Sequence, residues 1–214
     1  MRGDGIQNKI IEYIKANRVS TTEVADAMYK MGELDPHLRC LVPGSRAVGV
    51  VHYVPAVEGS NYYTHKYLRD TPRDSVVYVD AQNCDGLAIF GGLVVKFLML
   101  YRQAAGVVVG GLVRDAHQIL KEKWPVWAYG TTPIGCVNKD VPFDENYYLQ
   151  RKKEIDGAII VADDCGVIII PEEKQTEELC ERLEFIEWQE DMWFDCIDRR
   201  KWDTFDTVCL KKYE

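Results

Sequence analysis

Long hydrophobic runs are absent from this sequence. No segment approaches the roughly 20 consecutive apolar residues that a membrane-spanning helix needs, and the opening stretch MRGDGIQNKI carries no apolar core behind its basic residue, unlike a secretory leader. A cytoplasmic protein without membrane contact is expected. Histidine is scarce too: the four present form neither an HExxH nor an HxH pair, which removes the commonest zinc-enzyme signatures. Seven cysteines stand singly at positions 40, 84, 136, 165, 180, 196 and 209, with no CxxC pair. An odd, scattered set suits reduced thiols better than a disulfide framework or a cysteine-built zinc site. Positive charge is in deficit, with 26 basic against 34 acidic residues and a formal net charge of -8. That balance opposes attraction to phosphate backbones, so nucleic acid is not expected as a partner. The GxGxxG fingerprint and the GK[ST] of a P-loop are missing, and no internal repeat or low-complexity segment interrupts the chain.

What is present fits one α/β domain with a helical appendage, and 214 residues suffice for a substantial core. Ile6, Ile10, Ile11 and Ile14 give the stripe of a short amphipathic helix, and a second helix is predicted over Thr22 to Met31, capped by one of Ser20 to Thr22. RAVGVVHYVPA and DSVVYVDA are dense in β-branched residues and read as strands, with a helix over NYYTHKYLRD between them. An apolar helix is predicted from about Leu93 to Gln103. GVVVGG then reads as a strand buried on both faces, RDAHQILKE as a short helix, and WPVWAYG as a further strand. This alternation is the rhythm of an α/β layer. After a polar loop or helix at Asp144 to Lys153, DGAIIVADDCGVIIIP gives two strands joined at Asp163 to Gly166, and Glu172 to Lys201 is helical. Trp188, Trp193 and Trp202 make that tail a candidate packing or subunit-contact element.

The block GVVVGGLVRDAHQIL places Arg114 and Asp115 where a buried strand ends. In α/β folds, functional groups gather at the carboxyl ends of strands, and Gly110-Gly111 would let backbone approach a ligand. A guanidinium pairs naturally with a substrate carboxylate, and a neighbouring carboxylate can ligate Mg²⁺. The competing reading is a surface ion pair in which Asp115 caps the following helix. AIFGGLVV resembles an anion-binding nest, although two glycines equally make a plain turn. Asp163 and Asp164 sit where turn aspartates serve local hydrogen bonding, His117 reads as a solvated surface residue, and no histidine stands near Cys136 in sequence. The tripeptide Arg2-Gly3-Asp4 carries no assigned role.

In their order, TTEVADAMYKMG, LVPGSRAVGVV, DSVVYVDAQNCDGLAIFGGL, GVVVGGLVRDAHQI, WPVWAYGTTPIG and DGAIIVADDCGVIIIP resemble the successive segments of the RraA-like family. That family contains the regulator of RNase E activity and divalent-metal aldolases of 4-hydroxy-4-methyl-2-oxoglutarate and 4-carboxy-4-hydroxy-2-oxoadipate. The resemblance implies a three-layer β/β/α swivelling fold of the phosphohistidine-domain type over residues 1–171. Residues 172–214 then form a helical extension on the same domain or a neighbouring subunit, in a homotrimer or homohexamer. It implies that Arg114 binds a 2-oxo acid and steadies the pyruvate enolate, that Asp115 ligates Mg²⁺ or Mn²⁺, and that backbone amides of Gly91, Gly92, Leu93 and Val94 hold the carboxylate. The aldolases carry a further aspartate in the pattern D-x20-R-D. Leu93 stands at that position here, or Gly92 if one residue is inserted. Glu187 and Glu190 are the candidates for a glutamate that the family extends to a neighbouring subunit. Regulatory members typically lack the acid after the arginine, which this chain keeps. The expected function is therefore a metal-dependent lyase on a 2-oxo acid, by aldol cleavage or oxaloacetate decarboxylation, releasing pyruvate. The alternatives are another enolate-forming enzyme on a sugar acid or carboxylated sugar, with His117 or Tyr129 as proton donor, and a protein-binding regulator without chemistry.

Overall fold

The computed structural model describes residues 4–214, so Arg2 and Gly3 of the Arg2-Gly3-Asp4 tripeptide lie outside the described residues. Seven strands form one sheet: β1 (Arg39–Cys40), β2 (Ala47–Val57), β3 (Val76–Gln82), β4 (Gly106–Val113), β5 (Val126–Thr131), β6 (Ile159–Asp163) and β7 (Gly166–Ile170). Their order is β1-β5-β4-β3-β2-β6-β7. Strands β2 to β5 run parallel, as valine-rich runs separated by helices should. The helices are α1 (Asp4–Asn17), α2 (Thr21–Ala27), α3 (Tyr62–Leu68), α4 (Gly92–Phe97), α5 (Ala116–Glu122), α6 (Glu145–Ile155) and α7 (Glu177–Asp198).

Strand β2 belongs to both halves of the sheet. Ala47 to Val50 pair antiparallel with β6, whereas Val51 to Val57 pair in parallel with β3. The two halves then pack face to face: Val51, Tyr53, Tyr78, Val108 and Trp127 from the parallel half share one core with Ile160, Ala162 and Val167. The indole of Trp127 donates to the Asp163 carbonyl at 2.7 Å across this interface. The opposite face of the parallel half, with Val54, Val77, Val79, Val107 and Val109, is covered by α3, α4 and α5 through Leu68, Val94, Val95 and Ile119. The outer face of β6 and β7 carries α1, α2 and α7, with Ile10, Ile14, Val24 and Leu183 against Ile159 and Ile170. The expected mixed α/β architecture is the one found.

Three local features depart from expectation. Helix α2 begins with a capping box, Ser20 accepting from the Glu23 amide and Glu23 from the Ser20 amide, and it stops at Ala27 rather than Met31. Tyr29 and Lys30 adopt positive φ, which turns the chain so that Leu34 can donate to Val167 in β7. The helix predicted over Leu93 to Gln103 is α4 followed by a π-helical turn, Leu98–Arg102, closed by Gln103 in the left-handed region. Strand β1 was not legible, because two residues carry no periodicity; it pairs antiparallel with β5. The Asp163-Asp164 turn is structural, as its local chemistry implied. Asp163 accepts from the Thr21 amide and hydroxyl and from the Cys165 amide, and Asp164 accepts from Gly44. Among the described residues no helix is long and apolar enough to cross a membrane.

Candidate functional site

The register between β4 and β5 shifts between Val109 and Leu112, so a bulge falls on Gly110-Gly111. Beyond it, β4 stays paired with β5 but exchanges β3 for the loop near Ile89 on its other edge. Leu112 accepts from the Ile89 amide at 2.9 Å, and the Arg114 amide donates to Phe90 at 2.9 Å. The loop that leads into α4 is thereby fastened to the strand end that carries Arg114 and Asp115. Of the two glycines expected to admit a ligand, Gly111 is turned into the sheet, where a side chain would press on Ala81, whereas one on Gly110 would meet Val79, Tyr78 and Tyr129 at ordinary contact distances. Gly111 serves packing inside the sheet, and the glycines that crowd Arg114 and its neighbours are elsewhere.

They are Gly91 and Gly92. A β-carbon on Gly91 would lie 2.2 Å from a carboxylate oxygen of Asp115 and 2.7 Å from Cγ of Arg114; one on Gly92 would lie 2.1 Å from the amide oxygen of Gln118. Gly91 is extended, at φ -143°, so close approach rather than backbone freedom demands glycine here. On the other side, Arg114 runs across Gly135, where a β-carbon would sit 2.8 Å from a guanidinium nitrogen. Arg114 therefore lies between two loops, with its side chain 51 % exposed, and the Asp115 side chain beside it is 47 % exposed. The guanidinium Nε stands 4.0 Å from the carboxylate, too long for a committed ion pair, so both groups keep capacity for a ligand.

Asp115 occupies the N-cap position of α5 in the left-handed region, φ 59°, yet its side chain makes no capping bond there. Instead its Oδ2 accepts from the Gly92 amide at 3.1 Å. The capping reading is thus replaced by a carboxylate turned toward the glycine loop. A non-glycine residue held at positive φ beside a half-exposed arginine fits a functional position. The loop amides are partly committed: Gly92 donates to Asp115, and Val94 donates to the Gly91 carbonyl. Leu93 is 79 % exposed, whereas Val94 is buried.

Neither position proposed for the D-x20-R-D acid supplies a carboxylate. Leu93 faces solvent, and the space over Gly92 is filled by Gln118. Sequence reasoning missed Gln118 and singled out His117, which is exposed. The signal was there: Gln118 follows Asp115 by three residues and Arg114 by four, the spacing of one helix face. Tyr129 is not brought to this site. Alternation along β5 turns it with Trp127 to the opposite face, where its hydroxyl donates to Asp35 at 2.6 Å and burial, with that bond, raises its pKa. On α7, Glu187 accepts from the Tyr13 hydroxyl. Glu190 has its pKa raised, first by burial and then by Glu23, Asp26 and Asp191. Trp188 packs against Phe185 and Tyr213, and the Trp193 indole donates to the Tyr213 hydroxyl.

The RraA-like family model, described as Aldolase/RraA, matches residues 21–169. Protein DlpA of Legionella pneumophila is 25 % identical over 184 residues, covering 83 % of this chain; the chain spans only 30 % of that protein's length. A 4-hydroxy-4-methyl-2-oxoglutarate aldolase of Thermus thermophilus is 27 % identical over 158 residues, 71 % of this chain and 92 % of that one. The crystal structure of RraAS2 from Streptomyces coelicolor, described as an unusual member of the RNase ES inhibitor RraA protein family, superposes with a TM-score of 0.65 at 22 % identity. That alignment covers 89 % of this chain and 97 % of the other. With the family pattern spanning most of the sequence, this chain belongs to the RraA-like family.

Proposed function

We propose that the protein is a divalent-metal-dependent lyase that cleaves a carbon-carbon bond in a 2-oxo acid and releases pyruvate. The observation that carries this reading is the seating of Arg114 and Asp115. A guanidinium and a carboxylate are held side by side between two glycine-lined loops, each half exposed and neither spent on the other. Kinship with an enzyme named as an aldolase supports the same chemistry.

Among the described residues no group of three or more histidine, cysteine or carboxylate side chains could hold a metal. The donor set is Asp115 alone, with one oxygen on the Gly92 amide. That fits Mg²⁺, or Mn²⁺ in the same role, because Mg²⁺ keeps most of its waters and needs only one or two protein carboxylates besides the substrate. When bound, the ion withdraws electron density from the 2-oxo group. Arg114 pairs with the substrate carboxylate and offers positive charge to the enolate oxygen as the carbon-carbon bond breaks. The loop orients the substrate: the Leu93 amide, at the second position of α4, has no partner within the helix. The Gly92 amide becomes available only if Asp115 releases it.

The residues of one chain favour decarboxylation over aldol cleavage. Retro-aldol chemistry begins with removal of a hydroxyl proton, which needs a base, whereas a β-keto acid such as oxaloacetate loses CO₂ without one. Gln118 is neutral and supplies no base. A carboxylate from a neighbouring subunit, Glu187 or Glu190, would complete the aldol route in a homotrimer or homohexamer. The exposed apolar groups of Leu93, Phe97, Leu100 and Tyr101 on α4 and the π-turn suit such burial.

The test is pyruvate formation, followed by coupled reduction to lactate, from oxaloacetate and from 4-hydroxy-4-methyl-2-oxoglutarate. Turnover is expected with Mg²⁺ or Mn²⁺ and is expected to vanish with EDTA; silence on both substrates with either metal would overturn the reading. The role of Gln118 is checked separately with Gln118→Glu, which places a carboxylate over Gly92. Aldol cleavage should rise relative to decarboxylation by about tenfold or more, general-base assistance contributing roughly 10²-fold when well aligned. An unchanged product ratio would remove Gln118 from the account.

A further inference from the structure

Cys84 and Cys136 lie 52 positions apart in the sequence and meet in the fold. Cys84 is buried in the core beneath α4, and half-buried Cys136 packs against the same cluster. The backbone holds their segments together: the Ala88 amide donates to Ile134 at 2.7 Å, the Cys136 amide to Ala88 at 2.9 Å, and the Leu87 amide back to the Cys84 carbonyl at 3.1 Å. The two thiols face each other closely enough to perturb one another's ionisation, and the Cys84 thiol donates to the Gln82 carbonyl at 3.2 Å. Their setting is also specific. One segment continues into Ala88 to Gly92, and the other follows Gly135, the residue that Arg114 crosses.

We propose that Cys84 and Cys136 are an oxidative modification site, closing to a reversible intramolecular disulfide when the protein meets a hydroperoxide. The proposal stands on the juxtaposition of the two thiols and on the ladder that fixes their segments, and it is independent of the lyase reading.

The chemistry closes without another reagent. The Cys84 thiolate attacks the outer peroxide oxygen, the O–O bond breaks, and an alcohol or water leaves, giving a sulfenic acid. The Cys136 sulfur then attacks the Cys84 sulfur, the S–O bond breaks, and hydroxide leaves with the Cys136 proton as water. Two thiols and one hydroperoxide become one disulfide, one alcohol and one water. Cys84 is suited to the first step: its interaction with Cys136 lowers its pKa against the opposing effect of burial. Cys136 gives up its proton less readily, because Cys84 beside it and burial both raise its pKa. A closed disulfide would tie together the two segments on either side of Arg114.

The full-length protein is treated at pH 8 with one molar equivalent of hydrogen peroxide, blocked with N-ethylmaleimide and digested with trypsin. Residues 74–96 and 124–139 form separate peptides with one cysteine each. The expected result is a species joining these two peptides, two mass units below their sum, with a loss of two of the seven free thiols and full reversal by dithiothreitol. The joined species should be absent from Cys84→Ser and from Cys136→Ser. Recovery of both peptides blocked by maleimide, conversion of either cysteine to sulfinic acid in place of the crosslink, or crosslinks running instead to exposed Cys165 or Cys209 would overturn the proposal. The peptide map of the unsubstituted protein decides it, so neither variant needs to be active.

Discussion

Arg114→Ala is expected to lower kcat/KM for pyruvate release by about 10²-fold to 10³-fold, the usual cost of removing one group that stabilises developing negative charge. The fold should not change with it. The side chain is half exposed, touches the glycines of two loops, and stands 4.0 Å from Asp115. Its removal opens no internal cavity, and the main-chain bond from residue 114 to Phe90 stays in place. Arg114→Lys separates charge from shape. A lysine returns the positive charge without the planar fork that grips a carboxylate at two points, so it should recover only part of the loss. Coupled pyruvate assays on both variants, with urea midpoints matching the parent, make the measurement. Full activity in Arg114→Ala would mean that the chemistry lies elsewhere.

Gly91→Ala should cost nearly as much, although it alters neither charged residue. The added methyl would meet the Asp115 carboxylate and the Arg114 Cγ at distances no packed atoms tolerate, and Arg114 cannot yield by swinging its distal end. The extended backbone at Gly91 suits alanine, so the effect comes from displacement and not from strain. A shift of about 1 Å in a positioning group costs on the order of 10²-fold in rate. Thermal stability should fall little, because the crowded side chains can move toward solvent. Weaker apparent affinity for Mg²⁺, read as a higher metal concentration for half-maximal rate, should accompany the rate loss. Wild-type kinetics in Gly91→Ala would show that the two side chains are not held by the loop.

Much of this arrangement is legible in the sequence. The valine-rich runs mark β2, β3 and β4, and isoleucine-rich runs mark β6 and β7, because a strand buried on both faces tolerates little else. Arg114 and Asp115 stand out because a charged pair at the end of such a strand has few packing reasons to be there. What stays hidden depends on contacts between distant segments. The bulge at Gly110-Gly111 falls where β4, still paired with β5, exchanges β3 for the loop near Ile89, a choice that no local pattern encodes. The closeness of Gly91 and Gly92 to Asp115, Arg114 and Gln118 is hidden as well, since a bare Gly-Gly says nothing of what lies opposite. Gln118 was missed because glutamine carries no charge to attract notice, and only the packing shows it filling the space where a carboxylate was sought. The Cys84-Cys136 pair eluded spacing rules for the same reason: its partners meet through the fold.

Strand β2 also bears on how the chain assembles during synthesis. Its parallel partner β3 begins about 20 residues after β2 ends, whereas its antiparallel partner β6 lies about 100 residues further on. The parallel half can therefore organise while the ribosome is still making the rest. The apolar faces of α1 and α2, whose core partners include Ile159, Ile170 and Leu183, must wait for nearly the whole chain. Until then those N-terminal isoleucines have no permanent cover, and the nascent protein depends for that interval on chaperones or on speed.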